Sequence, residues 1–265
     1  MTEPGGAVSL APVRLVRFRH GTRLATGFVE GAFVHPLRGT FFEEPVPTGE
    51  EIPVEDVRLL APVLPSKVVC VGKNYGEHAQ EMGGEVPDEP IIFIKPSTSV
   101  IGPGDPIPYP ASSTRVDHEG ELAVVIGRLA RRVPAEDAGR VIVGFACGND
   151  VTARDLQLKD GQWTRSKGFD GFCPLGPWIE TEIDPTDLAI ECRVNGDLRQ
   201  AARTSQLQFG PNALVEFVTA VMTLLPGDVI LTGTPAGVGP MAVGDRVEVE
   251  IEGIGALENP VVDGA

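Results

Sequence analysis

The segment Asp117-His118-Glu119-Gly120-Glu121 sets two carboxylates one residue apart at the entry to an apolar, β-branched run. Alternate side chains of a strand share a face, so Glu119 and Glu121 point the same way. Side by side they repel each other unless a cation or a proton intervenes. A third carboxylate, Asp150, follows the apolar run Val141–Cys147 through Gly148-Asn149, where apolar character gives way to a loop. Three carboxylates from two strand ends suit Mg²⁺ or Mn²⁺, hard cations that take oxygen ligands and leave positions for water or substrate. The plainer alternative is a solvent-facing strand edge for Glu119 and Glu121, with Asp150 capping a helix.

Other residues have chemistry that fits such a site. Three ionised ligands and one divalent cation leave a net negative charge, so nearby positive groups must reverse it before an anionic ligand can bind. Arg154 lies one turn past Asp150 on a helix predicted over Thr152–Lys159, which turns both toward one cavity. Lys167 follows in the same connection and can meet a carboxylate, although Arg165-Ser166-Lys167-Gly168 also reads as a solvated run. Gln157 shares a helical face with Arg154 and offers an uncharged hydrogen-bonding group. Thr234, in a Gly-Thr-Pro turn, can receive a substrate carboxylate with its hydroxyl and nearby N–H groups; otherwise it is a turn residue. His78 and Glu81 are neighbours on a predicted helix. A carboxylate on one imidazole nitrogen fixes the tautomer and frees the other as a base. His20, His35 and His118 have no comparable setting.

The elements that must position these groups are short. The chain has 265 residues with 32 Gly and 24 Pro, which points to frequent turns. Strands are predicted at Val13–Arg19, Thr22–Glu30, Lys67–Val71, Ile91–Ile94, Glu121–Ile126, Val141–Cys147, Val229–Leu231 and Arg246–Ile251. Ala189–Val194 and Leu198–Ala202 form a hairpin through Asn195-Gly196, a pair that tolerates positive φ. Helices are predicted over Asn74–Met82 and Pro211–Leu225, the latter opened by proline and closed by Pro226-Gly227. Lys95 to Pro110 reads as loop and turn. Prolines mark a boundary near Leu64–Lys67, giving a small β-rich N-terminal domain (1–64) and a catalytic domain (65–265). The class is β-dominated α+β, with few helices.

Composition narrows the partners. With 22 Lys plus Arg against 37 Asp plus Glu, the formal charge is −15, which disfavours nucleic acid. No apolar stretch is long enough for a bilayer, and Met1–Pro12 lacks the pattern of a signal peptide, so the expectation is a cytoplasmic protein. Cys70, Cys147, Cys173 and Cys192 lie in apolar settings without a CxxC pair and read as reduced core thiols.

Taken in order, the motifs resemble the fumarylacetoacetate hydrolase family from about Lys67 to Pro260. They are Gly72-Lys73-Asn74-Tyr75-x-x-His78-x-x-Glu81, Phe93-Ile94-Lys95-Pro96 and Asp117-x-Glu119-x-Glu121-Leu122. Asn149-Asp150-Val151-Thr152-Ala153-Arg154-Asp155-x-Gln157, Lys167-Gly168-Phe169-Asp170 and Pro174-Leu175-Gly176-Pro177 follow. Pro226-Gly227-Asp228 and Thr232-Gly233-Thr234-Pro235-x-Gly237-Val238-Gly239 complete them. The resemblance implies rolled mixed β-sheets, a homodimer, and Mg²⁺ or Mn²⁺ held by Glu119, Glu121 and Asp150. It implies His78 and Glu81 on a mobile segment that closes over the metal. Gly171 stands where many relatives carry a small hydroxyl residue.

The reaction expected first is C–C bond hydrolysis of a β-diketo or acylpyruvate-type acid. There the metal chelates the 2-oxo-carboxylate head and Lys167 and Arg154 stabilise the metal-bound enolate, while His78, oriented by Glu81, makes hydroxide. Oxaloacetate-type decarboxylation and isomerisation of a 2-hydroxyhepta-2,4-diene-1,7-dioate share that enolate and follow as alternatives. A binding protein that keeps the fold without catalysis is the reading from a different class; it predicts loss of a carboxylate ligand or of the basic residues, and all are present.

Overall fold

The computed structural model describes residues 13–264 apart from Glu44, Met82 and Val86; the reading of Met1–Pro12 lies outside the described residues. A 13-stranded sheet forms the backbone of the molecule, with a 5-stranded and a 3-stranded sheet beside it. Across the middle of the large sheet the order is Arg14–His20, Cys173–Glu180, Ile142–Asn149, Gly120–Ile126, Val229–Leu231, Lys67–Gly72 and Ile91–Pro96. Neighbours are antiparallel except Val229–Leu231 against Lys67–Gly72, which run parallel. The β-dominated α+β class is the one expected from sequence.

Strand Gly120–Ile126 is buried at every position, which is why it reads as a continuous apolar run and not as an alternation. Its Leu122, Val124 and Ile126 pack with Val247, Val249 and Ile251 of the five-stranded sheet. Ala123 and Val125 face the other way, against Val68 and Cys70. Each fully buried large apolar side chain contributes about 1.5–3 kcal/mol, and truncating one such as Leu122 to Ala costs about 2–5 kcal/mol. The four cysteines are free and buried. Burial pushes the Cys173 thiol up to about 12, so it packs as a neutral side chain.

Residues 13–62 carry their own small cluster of Val16, Phe18, Val29, Val34 and Ile52. Their first strand nevertheless joins the large sheet, with Arg14 opposite Glu180 and Leu15 opposite Ile179. The hairpin at Asn195-Gly196 forms as expected, with φ of 54° and 84° at the two turn residues.

Three local expectations are corrected. The stretch from Lys95 to Pro110 is not all loop: the strand Ile91–Pro96 runs into it, Val100–Ile101 pairs with Cys173–Pro174, and Ile107–Pro110 pairs with Val261–Gly264. Its prolines sit where few ladder hydrogen bonds are required. The helix predicted over Thr152–Lys159 runs Arg154–Asp160, because Thr152 and Ala153 pair with Asp117 and Val116. The helix from Pro211 ends at Val221, since Leu224 leaves it to exchange backbone hydrogen bonds with Ala130.

Candidate active site

Antiparallel pairing of Gly120 with Asn149 brings the start of one strand beside the end of its neighbour. That register carries Glu119 and Glu121 to Asp150, whose N–H donates to the Glu119 carbonyl at 2.9 Å. The ends of Val229–Leu231 and Lys67–Gly72 arrive at the same edge and deliver Thr234 and His78. The result is a cavity of about 210 Å³ lined by Glu119, Glu121, Asp150, Arg154, Gln157, Lys167, His78 and Thr234, with Phe93 and Trp163 as apolar walls.

Glu119, Glu121 and Asp150 are 4%, 1% and 1% exposed, which overturns the solvent-facing alternative. One oxygen from each lies within 4.8 Å of the others. Nor does Asp150 cap a helix, as the helix follows Ala153 and has no side-chain cap. Three buried carboxylate oxygens so close together are a hard donor set that fits Mg²⁺ or Mn²⁺.

Cations crowd the same carboxylates. Lys167 donates to Glu119 at 2.7 Å and to Asp150 at 2.6 Å, so it is not part of a solvated run. Arg154 donates to Asp117 at 2.9 Å, Glu119 at 2.5 Å and Gln157 at 2.6 Å. Arg154 does not lie one helical turn past Asp150, because the two-residue strand intervenes; it reaches the site from the first residue of its helix. Burial alone would raise the Glu119 carboxyl, but Lys167 and Arg154 outweigh it and hold the group well below the ordinary range. Glu121 goes the other way: burial, then the charges of Asp150 and Glu119, push its carboxyl well above the ordinary value. Burial would lower the Lys167 ammonium, yet Asp150 and Glu119 prevail and raise it.

His78 is 6% exposed, and its Nδ1 lies 3.2 Å from Glu81, which also accepts from the Gly237 N–H. The dyad and the triad therefore meet at one cavity. Thr234 lines it too, but its hydroxyl donates to the Gly120 carbonyl at 2.9 Å and accepts from Gln200 at 2.7 Å. Its proton is thus engaged by the protein in this structure. Gly171 has φ of +77°, and a Cβ there would lie 2.5 Å from Pro108 Cδ. A hydroxyl residue does not fit this backbone, which accounts for the glycine.

Two buried charges appear in the sequence motifs without an assigned role. Lys95, 0% exposed, donates to Asp150 at 2.6 Å and to the Val151 carbonyl at 3.0 Å. Asp117, 0% exposed, accepts from Arg115 and Arg154. A lysine inside the run Ile91-Ile92-Phe93-Ile94-Lys95 was the available signal, because such a charge demands a buried partner. Histidine 118, given no setting from sequence, is buried beside Gln200 and Cys192.

Comparison with known proteins places this geometry. Protein Rv2993c of Mycobacterium tuberculosis is 58% identical over 224 residues, 83% of this chain and 84% of its own length. The structure of 5-carboxymethyl-2-hydroxymuconate delta-isomerase from Mycobacterium smegmatis is 52% identical, with a TM-score of 0.90 over 94% of this chain and 99% of that one. Mitochondrial oxaloacetate tautomerase fahd2 of Xenopus laevis is 47% identical over 220 residues, 78% of this chain and 69% of its own. Maleylpyruvate hydrolase from Sphingobium sp. SYK-6, solved with manganese(II) and pyruvate, is 33% identical, with a TM-score of 0.80 over 95% of this chain and all of that one. The Rv2993c-like N-terminal family matches residues 13–62. The fumarylacetoacetate (FAA) hydrolase C-terminal family matches residues 67–262, the stretch whose strand ends build the cavity, and the chain belongs to the fumarylacetoacetate hydrolase family.

Proposed function

We propose that this chain is a Mg²⁺- or Mn²⁺-dependent enzyme that relocates a proton on a small 2-oxo diacid by way of its enolate. The observation that carries this reading is the convergence of the acidic triad and the His78–Glu81 dyad on one cavity. Glu119, Glu121 and Asp150 would hold the cation. When bound, the cation polarises the 2-oxo group as a Lewis acid and lowers the cost of negative charge on its oxygen. Glu81 engages His78 Nδ1, which orients the ring and assigns Nε2 to carry a proton between the 2-oxygen and a carbon of the same enolate. Arg154 and Lys167 supply positive charge beside the developing anion. Phe93 and Trp163, edge to face with centroids 5.0 Å apart, keep that side of the cavity apolar.

Charge supports a dianionic substrate. Buried Asp117, Glu119, Glu121 and Asp150 face buried Lys95, Arg154 and Lys167, so adding a divalent cation turns the local balance positive. The isomerase and tautomerase names among relatives at 52% and 47% identity favour proton relocation. Hydrolysis of a C–C bond is the second reading, favoured by the maleylpyruvate hydrolase solved with manganese(II) and pyruvate. In it His78 would deprotonate water instead of carbon. The chain acts as a homodimer in this proposal; a light-scattering mass of one chain, 28.1 kDa, counts against that part.

The deciding experiment incubates the Mn²⁺-loaded protein with oxaloacetate, a hydroxymuconate-type diacid and an acylpyruvate in D₂O. Deuterium entering carbon faster than in a protein-free Mn²⁺ control, without cleavage, supports proton relocation, and a cleaved acylpyruvate supports hydrolysis. His78→Ala should slow the active reaction about 10²–10⁴-fold, the size of a general-base contribution, with Mn²⁺ affinity unchanged. Neither exchange nor cleavage on any of these acids would refute the proposal.

A further inference from the structure

Gln200 lies on the strand Asp197–Arg203 of the five-stranded sheet, far in sequence from every residue that lines the cavity. It is 1% exposed, and its amide makes contacts at both ends. Oε1 accepts from the Gly120 N–H at 3.0 Å, and Nε2 donates to the Pro235 carbonyl at 2.7 Å. A main-chain N–H only donates and a carbonyl only accepts, so these two contacts fix which way the amide points. The second Nε2 proton then goes to Thr234 Oγ1, and Thr234 must pass its own proton to the Gly120 carbonyl. The bonds close a ring in which Gly120 is held by its N–H on one side and its C=O on the other.

Gly120 is the residue between Glu119 and Glu121. It is also wedged under the five-stranded sheet, where a Cβ would lie 3.2 Å from Cys192 Cβ and 3.3 Å from Val249 Cγ1. The turn gripped by the other end of the amide carries the Gly233 N–H, which donates to Glu121 at 2.6 Å. Farther along the same turn, the Gly237 N–H donates to Glu81. One side chain thus ties down the peptide that spaces two carboxylates and the loop that holds both Glu121 and Glu81. His118 adds a fourth contact to the amide. Its Nδ1 lies 3.2 Å from Gln200 Oε1, and since that oxygen can only accept, Nδ1 carries the ring proton.

We infer that Gln200 is a positioning residue for the cation site: it sets the separation and direction of Glu119 and Glu121 without touching cation or substrate. The inference rests on the proposal that the triad binds Mg²⁺ or Mn²⁺. Supporting hydrogen bonds of this kind are worth about 10–100-fold in metal affinity or activity.

The test is Mn²⁺ titration calorimetry on the full chain, with melting temperatures recorded in parallel. Gln200→Glu keeps the acceptor and the shape but removes both amide donors; Gln200→Met removes all of the hydrogen bonds at similar volume. Thr219→Val is the control, since its buried hydroxyl accepts from Val133 N–H in another part of the molecule. We expect Gln200→Glu and Gln200→Met to weaken Mn²⁺ about 10–100-fold. Thr219→Val should lower the melting temperature and leave Mn²⁺ affinity as it was. If Gln200→Met does not fold, Gln200→Glu alone decides. Wild-type affinity in a folded Gln200→Glu protein, whatever its melting temperature, overturns the inference and leaves the proposed function standing. Absence of Mn²⁺ binding in the wild type overturns the metal site itself and this inference with it.

Discussion

Asp228 and Glu121 are both fully buried carboxylates, and they flank the same pair of strands from opposite ends. Val229–Leu231 runs antiparallel to Gly120–Ile126, with Leu231 opposite Ala123 and Val229 opposite Val125. Asp228 therefore lies at one rim of the sheet and Glu121 at the other. Asp228 accepts from the N–H groups of Ser66, Lys67 and Leu225, the Ser66 hydroxyl and the Lys67 ammonium. Burial would raise its carboxyl, but the Leu225 N–H, Lys67 and Ser66 hold it below the ordinary range. Glu121 accepts, among the described residues, from the Gly233 N–H and has two carboxylates for neighbours. One carboxylate is saturated by donors and serves structure. The other retains acceptor capacity at the cost of repulsion, and that is what distinguishes a binding group from a brace.

Glu121→Gln should break the contrast most sharply. Loss of a ligand should reduce activity by on the order of 10³-fold or more, the scale of several kcal/mol of Lewis-acid stabilisation. The metal-free protein should melt higher than the wild type, because among the described residues Glu121 has no cationic hydrogen-bonding partner and its removal relieves repulsion. Glu119→Gln and Asp150→Asn also remove metal binding, but each strands a buried cation and should lower the melting temperature. Calorimetric scans of the three variants without metal check this ordering.

Asp228→Ala should do the reverse of Glu121→Gln. It leaves the Lys67 ammonium and several N–H groups without their acceptor and costs about 3–5 kcal/mol of stability, while Mn²⁺ affinity in the folded fraction is unchanged. Denaturant unfolding and calorimetry on one preparation separate the two quantities. Metal addition should sharpen the comparison further. At a hundredfold excess over Kd, Mn²⁺ stabilises a binding-competent fold by about 2.7 kcal/mol. Wild type and Asp228→Ala should both show that increment, Glu121→Gln none.

The smallest effect concerns acid. The Asp228 carboxyl is depressed in the folded state, so its contribution to stability is complete above the ordinary carboxylate pKa and is lost as pH falls through the folded value. Melting curves taken from pH 6 downward should show wild type and Asp228→Ala converging as the carboxylate is protonated. A constant gap between them would argue that Asp228 acts by packing alone.

Much of the site was legible because its groups are local in sequence. Glu119-x-Glu121, the post-strand Asp150 and the His78-x-x-Glu81 spacing each reveal a shared face within a few residues, and the structure brings them to one cavity. The Asn195-Gly196 turn was equally local. The partners of Lys95, Asp117 and Gln200 were not legible, since each lies across the fold. Lys95 meets Asp150 from 55 residues away, and Gln200 meets Gly120 from 80. The prolines between Lys95 and Pro110 hid two short strands for a related reason. Those strands pair with Cys173–Pro174 and Val261–Gly264, which no window of neighbouring residues contains.

The pairing of Arg14 and Leu15 with Glu180 and Ile179 bears on how this chain can be divided. Although two family profiles meet between residues 62 and 67, the sheet does not respect that border. A protein cut there would leave Ile179 and Glu180 without their strand partner, and free N–H and C=O groups at a sheet edge are a template for another strand. It would also lose the seat of the Arg14 guanidinium over the Trp178 ring, 4.7 Å from its centroid. The N-terminal strands thus cover part of the sheet's edge, and a shortened chain is expected to aggregate through that edge before it fails to bind metal.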